Sequence, residues 1–362
     1  MRGSDQPSQT ASGRSFAGIA DNIRPGCAAS TEIRLALASV ADRSDMVRHK
    51  LEEQWPQRSG RLYSICRYAL LPNGKLFRPV LLLESTAAVG GELASSLPAA
   101  AGAEYGHVAS LIHDDIIDGD NLRRGRPSVQ HKYGIDDAIV AGDALIFHLF
   151  ANLAECRSTG VPDGYVVSAL AAVARAGLDL CYGQALELEM CRNRHFDLES
   201  YMKMARLKTG ALFRGACECG AILGGGSPKW VQQLAAYGEH LGLAFQIRDD
   251  VLPYVSDTET TGKPVTSDVD NGRLTLPVIL AYKFAGQQER EGISAALSSS
   301  VDPVQTLDFL RGVLGRTGAV DMAVEMAGKY AEVSRQALQG LPFSPSRDRL
   351  EYFAELVIVR DR

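Results

Sequence analysis

Residues 107–118 read HVASLIHDDIID, and residues 245–253 read FQIRDDVLP. Both stretches have the apolar content of buried helix, yet Asp114, Asp115, Asp118, Asp249 and Asp250 stand where a core would take Leu or Ala. An unpaired buried carboxylate costs several kcal/mol, so these clusters require a polar counterpart. Asp114 and Asp118 are i and i+4 and share a helix face, with Asp115 close beside them. Carboxylates one turn apart can share hard cations, Mg²⁺ first, and still leave coordination positions for an incoming ligand. A diphosphate is the group best suited to two facing acidic clusters around several Mg²⁺ ions.

Working outward, the chain reads as helix nearly throughout from about residue 30. Leucine and alanine dominate and β-branched alternation is scarce. Ser227-Pro228 and Asp302-Pro303 read as helix starts, and Pro98, shortly after Ser96, opens the stretch that leads to the first cluster. Glycines at 90–91 and 224–226 read as helix ends. Leu350, Phe353, Ala354 and Val357 follow i, i+3, i+4, i+7 and predict an amphipathic terminal helix. The expected fold is all-α, one helical bundle over residues 30–362 packed around a central site. Residues 1–29, polar and without an apolar core, read as a disordered tail rather than a signal peptide.

The net charge of −5 argues against a nucleic-acid-binding or anionic-membrane surface. The seven cysteines, at 27, 66, 156, 181, 191, 217 and 219, form no paired CxxC pattern. Their odd number fits reduced thiols in a cytoplasmic protein. The absence of an unbroken run of 18 apolar residues is read as excluding a transmembrane segment.

Cations gather near the acids. Residues 121–127 read NLRRGRP, and Arg123 and Arg124 carry the side chain best fitted to bidentate phosphate recognition. Lys75 and Arg78 precede the apolar run Val80-Leu81-Leu82-Leu83 and make a second candidate anion site. Lys208-Thr209 supplies a cation and a hydroxyl, and Lys263 and Arg273 sit on Gly-containing loops. His113, beside Asp114, reads as a histidine that orients the carboxylate rather than as an acid or base. Asp136-Asp137 follows a Tyr-Gly turn signal and reads as solvated.

Taken in order, GKLFRP (74–79), HVASLIHDDIIDGDNLRRGRP (107–127), GQALELE (183–189), KTGALF (208–213), FQIRDDVLP (245–253) and GKPVTSDVDNGRLTLP (262–277) resemble the trans-prenyltransferases, the (E)-polyprenyl diphosphate synthases. The resemblance spans roughly residues 50–285. It implies an all-α bundle of the isoprenoid synthase type, a homodimer, with two aspartate-rich motifs facing across a deep cavity. By motif, Asp114, Asp115 and Asp118 with Asp249 and Asp250 would hold Mg²⁺, three ions in all. Arg123, Lys208, Thr209, Gln246 and Lys263 would hold an allylic diphosphate. Lys75, Arg78, His107 and Arg124 would hold isopentenyl diphosphate without metal, and Gln184 would line the cavity. Five aspartates and a diphosphate against three Mg²⁺ leave a formal surplus of about −2, which basic residues, Arg273 among them, must close.

The resemblance also speaks to product length. Ala109 and Ser110 lie about one turn below the metal face. Short-chain members carry a bulky aromatic there as a floor, so two small side chains imply a product of C20 or longer. One position departs from the pattern: the second motif normally ends in Asp, and here Pro253 stands there, where it cannot ligate metal and should kink or end the helix. Two rival readings remain. A class I terpene cyclase would lack the metal-free anion site and would carry Asn, Ser and Glu in its second motif. A non-catalytic partner subunit would act by helical packing alone.

Overall fold

The structure, a computed structural model, describes residues 40–255, 266–297 and 302–359. The tail expected at 1–29 and the candidate Lys263 lie outside the described residues.

The N-terminal half comprises α1 (Ala41–Gln54), α2 (Arg61–Leu70), α3 (Phe77–Ala88) and the long α4 (Leu93–Asp118). A two-residue hairpin follows, β1 (Leu122–Arg123) against β2 (Arg126–Pro127), and then α5 (Val129–Tyr133), α6 (Ile135–Glu155) and α7 (Asp163–Asn193). In the second half α8 (Leu198–Ala205) runs through a π-helical turn at Arg206–Gly210 into α9 (Ala211–Leu223) and α10 (Pro228–Val255). The remaining helices are α11 (Ser267–Asp270), α12 (Leu276–Phe284), α13 (Gln287–Ala296), α14 (Pro303–Thr317), α15 (Ala319–Ala337) and α16 (Pro345–Val359).

Helix α9 is the hub and packs on α3, α4, α7 and α10. Ala211, Phe213, Gly215, Ala216, Cys217, Cys219, Gly220 and Ala221 are all buried, so most of its circumference faces core, and its one polar edge, Arg214 and Glu218, pairs with Asp179 and Arg175 of α7. Helix α4 is clasped between α3 and α6. A polar chain fixes it at Tyr105. Trp55 Nε1 donates to Tyr105 Oη (2.9 Å), Tyr105 Oη donates to Gln54 Oε1 (2.6 Å), and Gln54 Nε2 donates to Asn152 Oδ1 (2.6 Å). Each partner satisfies another, so the network ties α1, α4 and α6 without leaving a buried donor idle.

Most of the helix punctuation matches its sequence signals. Asp302 caps α14 by accepting from Val304 N at 3.2 Å, and Ser227 Oγ accepts from Trp230 N at 3.3 Å ahead of α10. Leu350, Phe353, Ala354 and Val357 are all buried on α16. The expected start at Pro98 is wrong: α4 begins at Leu93 and runs through the proline. Pro98 is the sixth residue of the helix, past the first turn, so its missing N–H costs the ladder one i→i−4 bond, to the Ala94 carbonyl. Helix α10 is continuous through Pro253 as far as Val255, the last residue described before 266. Arg311 of α14 donates to the Pro253 carbonyl at 3.0 Å.

The expectation that no helix is long and apolar enough to span a membrane is also corrected. The segments 135–159 and 163–193 each reach a mean hydropathy of 1.4, with only 39% and 22% of those windows buried. Scattered charged residues break each apolar run, which is why counting unbroken runs missed them. Their outward faces carry Ile135, Ile139, Val140 and Phe147 on α6, and Tyr165, Val167, Leu178 and Tyr182 on α7. Phe147 is 74% exposed and Tyr182 66%.

Candidate active site

The last turn of α4 carries the first acidic cluster, and Gly119 closes the helix at φ 67°. Asp114 accepts no hydrogen bond from a described residue. Burial raises its carboxyl above the usual range and the neighbouring Asp118 adds to the rise, while Lys208 and Arg273 pull against it. Asp118 accepts from Arg273. Asp115 is buried and takes Arg123 through Nε at 2.7 Å and through Nη2.

Across the site, α10 presents Gln246, Asp249 and Asp250. Thr209 Oγ1 donates to Gln246 Oε1 at 2.5 Å, and Gln246 Nε2 donates to Asp250 Oδ1 at 2.7 Å. Asp250 Oδ2 accepts from Tyr201 Oη (2.7 Å) and from the Leu276 amide (3.0 Å). Burial pushes Asp250 up to about 7 in spite of these donors. Asp250 was expected beside Asp249 among the metal ligands. Both its oxygens are instead committed to protein donors that lock α8, α10 and α12 together.

Sequence reasoning missed Glu187. It accepts from Lys208 Nζ (2.6 Å), Gln184 Nε2 (3.1 Å) and Arg273 Nη1 (2.6 Å), so it sits at the hub of the cationic wall. Those cations hold its carboxyl below the usual range against burial. The available signal was its place in GQALELE, three residues after Gln184 and therefore on the same helix face. Lys208 and Thr209 sit in the π turn, a distortion that often re-aims side chains at functional sites. Gly183 lets α7 touch that turn, since a Cβ there would lie 2.3 Å from the Lys208 amide nitrogen.

The second cationic group is separate. Lys75 and Arg78 flank the entry to α3, and Leu76 between them is held at φ 56°. Arg124 sits at φ 55° in the two-residue turn of the hairpin, a conformation costly for a side chain with a Cβ and met at sites where strain serves function. Its guanidinium lies against Gly74, where a Cβ would come 2.5 Å from Nη2. Arg78 packs its guanidinium over the Phe213 ring at 4.6 Å, and burial lowers it to about 10. Among the described residues, Arg78 Nε, His107 Nδ1 and Asn73 Nδ2 are buried without partners. His107 is held well below its ordinary value, first by burial and then by Arg78 and Arg124. Buried polar atoms left unpaired beside several cations suit an anion.

Below Arg78 a small apolar cavity of ≈ 40 Å³ lies between α4, α6, α7 and α9. On α4 its wall is Gly106, Ala103 and Ala99, and Leu149 and Leu153 of α6 stand opposite. Leu149 Cδ1 lies 2.5 Å from where a Gly106 Cβ would be, so glycine is what leaves room for that leucine. Ser110 is half-buried and donates to the His107 carbonyl (2.8 Å), while Ala109 is 1% exposed and packed in the core. No aromatic stands along this face of α4.

His113 does not orient Asp114. Its Nε2 lies 3.6 Å from Asp143 Oδ1, and its ring covers Gly142 on α6. Asp137 pairs with Arg61 rather than with water alone. No three His, Cys, Asp or Glu side chains converge on one point among the described residues. Asp114, Asp118 and Asp249 nevertheless offer only oxygen donors, and the half-buried Asp114, with no hydrogen-bond partner among the described residues, suits a hard divalent cation.

The polyprenyl synthetase family model matches residues 59–309. The short chain isoprenyl diphosphate synthase of Methanothermobacter thermautotrophicus is 36% identical over 317 residues, covering 88% of this chain and 95% of its own length. The geranylgeranyl diphosphate synthase of Methanosarcina mazei is 33% identical, covering 89% of this chain and 97% of its own length. Among solved structures, geranylgeranyl pyrophosphate synthetase from Pyrococcus horikoshii superposes with a TM-score of 0.82 at 33% identity, covering 91% of this chain and 99% of its own. The polyprenyl synthase from Caulobacter crescentus, complexed with calcium and isoprenyl diphosphate, also gives a TM-score of 0.82, at 28% identity over 94% of this chain and 100% of its own. With the motifs, the bundle and the paired acidic and cationic groups all in register, the chain belongs to the polyprenyl synthetase family.

Proposed function

We propose that the protein is a trans-prenyltransferase that condenses isopentenyl diphosphate with an allylic diphosphate to give an all-trans product of C20 or longer. The observation that carries this reading is the second cationic pocket, Lys75, Arg78, His107 and Arg124, with its buried unpaired polar atoms above the apolar cavity. A terpene cyclase takes one diphosphate and has no use for that pocket. The length assignment rests on the small residues Ser110, Gly106, Ala103 and Ala99 along α4, and on relatives named geranylgeranyl and geranylfarnesyl diphosphate synthase.

The cofactor assigned to Asp114, Asp115, Asp118 and Asp249 is Mg²⁺, with three ions per site. Bound there, Mg²⁺ supplies charge neutralisation for the departing diphosphate. Arg123 and Arg273 now pair with Asp115 and Asp118, two of the acids that would hold the metal. Neutralised acids would release these cations toward the leaving group. The allylic C–O bond then breaks heterolytically, with diphosphate taking the electron pair, in a site whose cations are preorganised for that charge. Lys75, Arg78 and Arg124 orient isopentenyl diphosphate, and neutral His107 gives it a hydrogen bond. Its double bond attacks the allylic cation, and the proton lost from the new tertiary cation goes to the released diphosphate. Asp250 and Glu187 hold Gln246, Lys208 and Arg273 in place.

A homodimer is proposed on the outward faces of α6 and α7. Contiguous exposed apolar surface of this kind marks association, and the same helices wall the cavity. A cytoplasmic location is proposed from the cysteines, which are free at all six described positions. The test is product analysis with isopentenyl diphosphate and C5, C10, C15 and C20 allylic starters in Mg²⁺. Elongation to C20 or beyond supports the reading. Cyclised hydrocarbon from one substrate alone means a cyclase, and no turnover of any pair means a non-catalytic subunit.

A further inference from the structure

Glu104 lies on α4 one turn before His107, and nothing in the reaction just described uses it. Its side chain is 1% exposed, and neither carboxylate oxygen has a hydrogen-bond partner among the described residues. Burying a carboxylate without donors is unfavourable, and a pocket that binds anions gains no affinity from one. Burial raises its carboxyl above the usual range, and the charges that favour the ionised form against this are cations from two other elements, Arg124 of the hairpin turn and Arg78 of α3. Arg78 in turn feels Glu104 first, then Asp249 of α10, then Arg124. His107, on α4 itself, is neutral under the same two guanidinium groups. The acid therefore stands among the cations of the metal-free pocket, of the same sign as the diphosphates the pocket is built to bind.

We propose that Glu104 is the charge counterweight of the second diphosphate pocket: it balances Arg78 and Arg124 while the pocket is empty, and it lowers the hold on any diphosphate that enters. The proposal rests on the assignment of Lys75, Arg78, His107 and Arg124 to that pocket. Its consequence is a site that captures isopentenyl diphosphate yet is not trapped by inorganic diphosphate, the other product of each turnover.

The experiment is calorimetric titration of the full chain with isopentenyl diphosphate and with inorganic diphosphate, without metal, alongside thermal melts. Glu104→Gln should bind both ligands tighter, by roughly tenfold or more for one charge removed at several ångströms. Glu104→Asp, which keeps the charge, should stay within a few-fold of wild type. A residue with only a structural role would give weaker binding and a lower Tm, so a gain in affinity is the discriminating sign. Should Glu104→Gln fold poorly, Glu104→Met makes the same neutralisation with an apolar chain of similar length. Unchanged or weaker binding in the folded neutral variants overturns the proposal. Lys75→Ala is the control for the pocket itself. If it leaves metal-free binding intact the pocket assignment falls, whereas if it weakens binding and Glu104→Gln does not tighten it, only the counterweight falls.

Discussion

Product length should move in opposite directions when the two walls of the cavity are changed. Ser110 lies four residues before Asp114, about 6 Å down the α4 axis and about 40° around it, on the same side as Ala103 and Gly106. A Phe ring at Ser110 projects into the path of the tail before the cavity is reached. Gly106 and Ala103 stand about 12 and 16 Å below Asp114, and one helical turn, about 5.4 Å, is close to one extended isoprene unit. Ser110→Phe should therefore cut the product back to C15 or shorter, with the first condensation within a few-fold of wild type. Ala109→Phe acts at the same depth from the core side and should also shorten the chain, at an overpacking cost of about 1–3 kcal/mol. Leu149→Ala removes the side chain pressed against Gly106 and should add at least one isoprene unit. Because Leu149 is only half-buried, its stability cost should lie near or below the lower end of the ~2–5 kcal/mol seen for buried Leu→Ala. Chromatography of the dephosphorylated products reads all three variants. An unchanged distribution in Ser110→Phe and Leu149→Ala would refute the route assigned to the growing chain.

Lys75→Ala and Arg78→Ala should raise KM for isopentenyl diphosphate by at least tenfold, with little effect on KM for the allylic substrate; equal effects on both would merge the two pockets into one. Glu187→Gln loses the charge that holds Lys208 and Arg273, so kcat should fall by roughly a hundredfold while the Tm changes by only a few degrees, and a normal kcat would remove Glu187 from the site. The folded state binds a proton at Asp250 up to about pH 7, against about 3.9 for an unfolded Asp. Its stabilising contribution is thus complete below about pH 4 and is lost as pH rises toward 7. Melts of wild type and Asp250→Asn across that range should show wild type losing ground to the variant as pH rises, and parallel curves would mean that Asp250 does not titrate there.

The acids and cations were legible because each breaks a local rule: carboxylates inside apolar helix, arginines clustered beside them, a Lys-Thr pair inside helical sequence. The bundle was legible from helical periodicity and from caps such as Asp302. What escaped depends on contacts between distant segments. Glu187 looked like an ordinary helical acid until α7 and the π turn brought Lys208 and Arg273 to it. Asp250 and Asp249 are adjacent in sequence and equal in type, and only the approach of Tyr201 and Leu276 separates their roles. His113 was assigned by its neighbour in sequence, whereas the side chain turns to α6. The apolar faces of α6 and α7 were hidden by the charges that interrupt them.

The account stands most directly on Asp114, the half-buried carboxylate without a described hydrogen-bond partner. Single-turnover incorporation of labelled isopentenyl diphosphate into a preformed complex with an allylic diphosphate, with and without Mg²⁺, compares wild type with Asp114→Ala. Metal-free binding of isopentenyl diphosphate should be unchanged in the variant, because its pocket is built from other residues. Incorporation should require Mg²⁺ in wild type and fall by at least a thousandfold in Asp114→Ala. Incorporation at a near-normal rate in the variant, or in wild type stripped of divalent metal, would contradict the central claim.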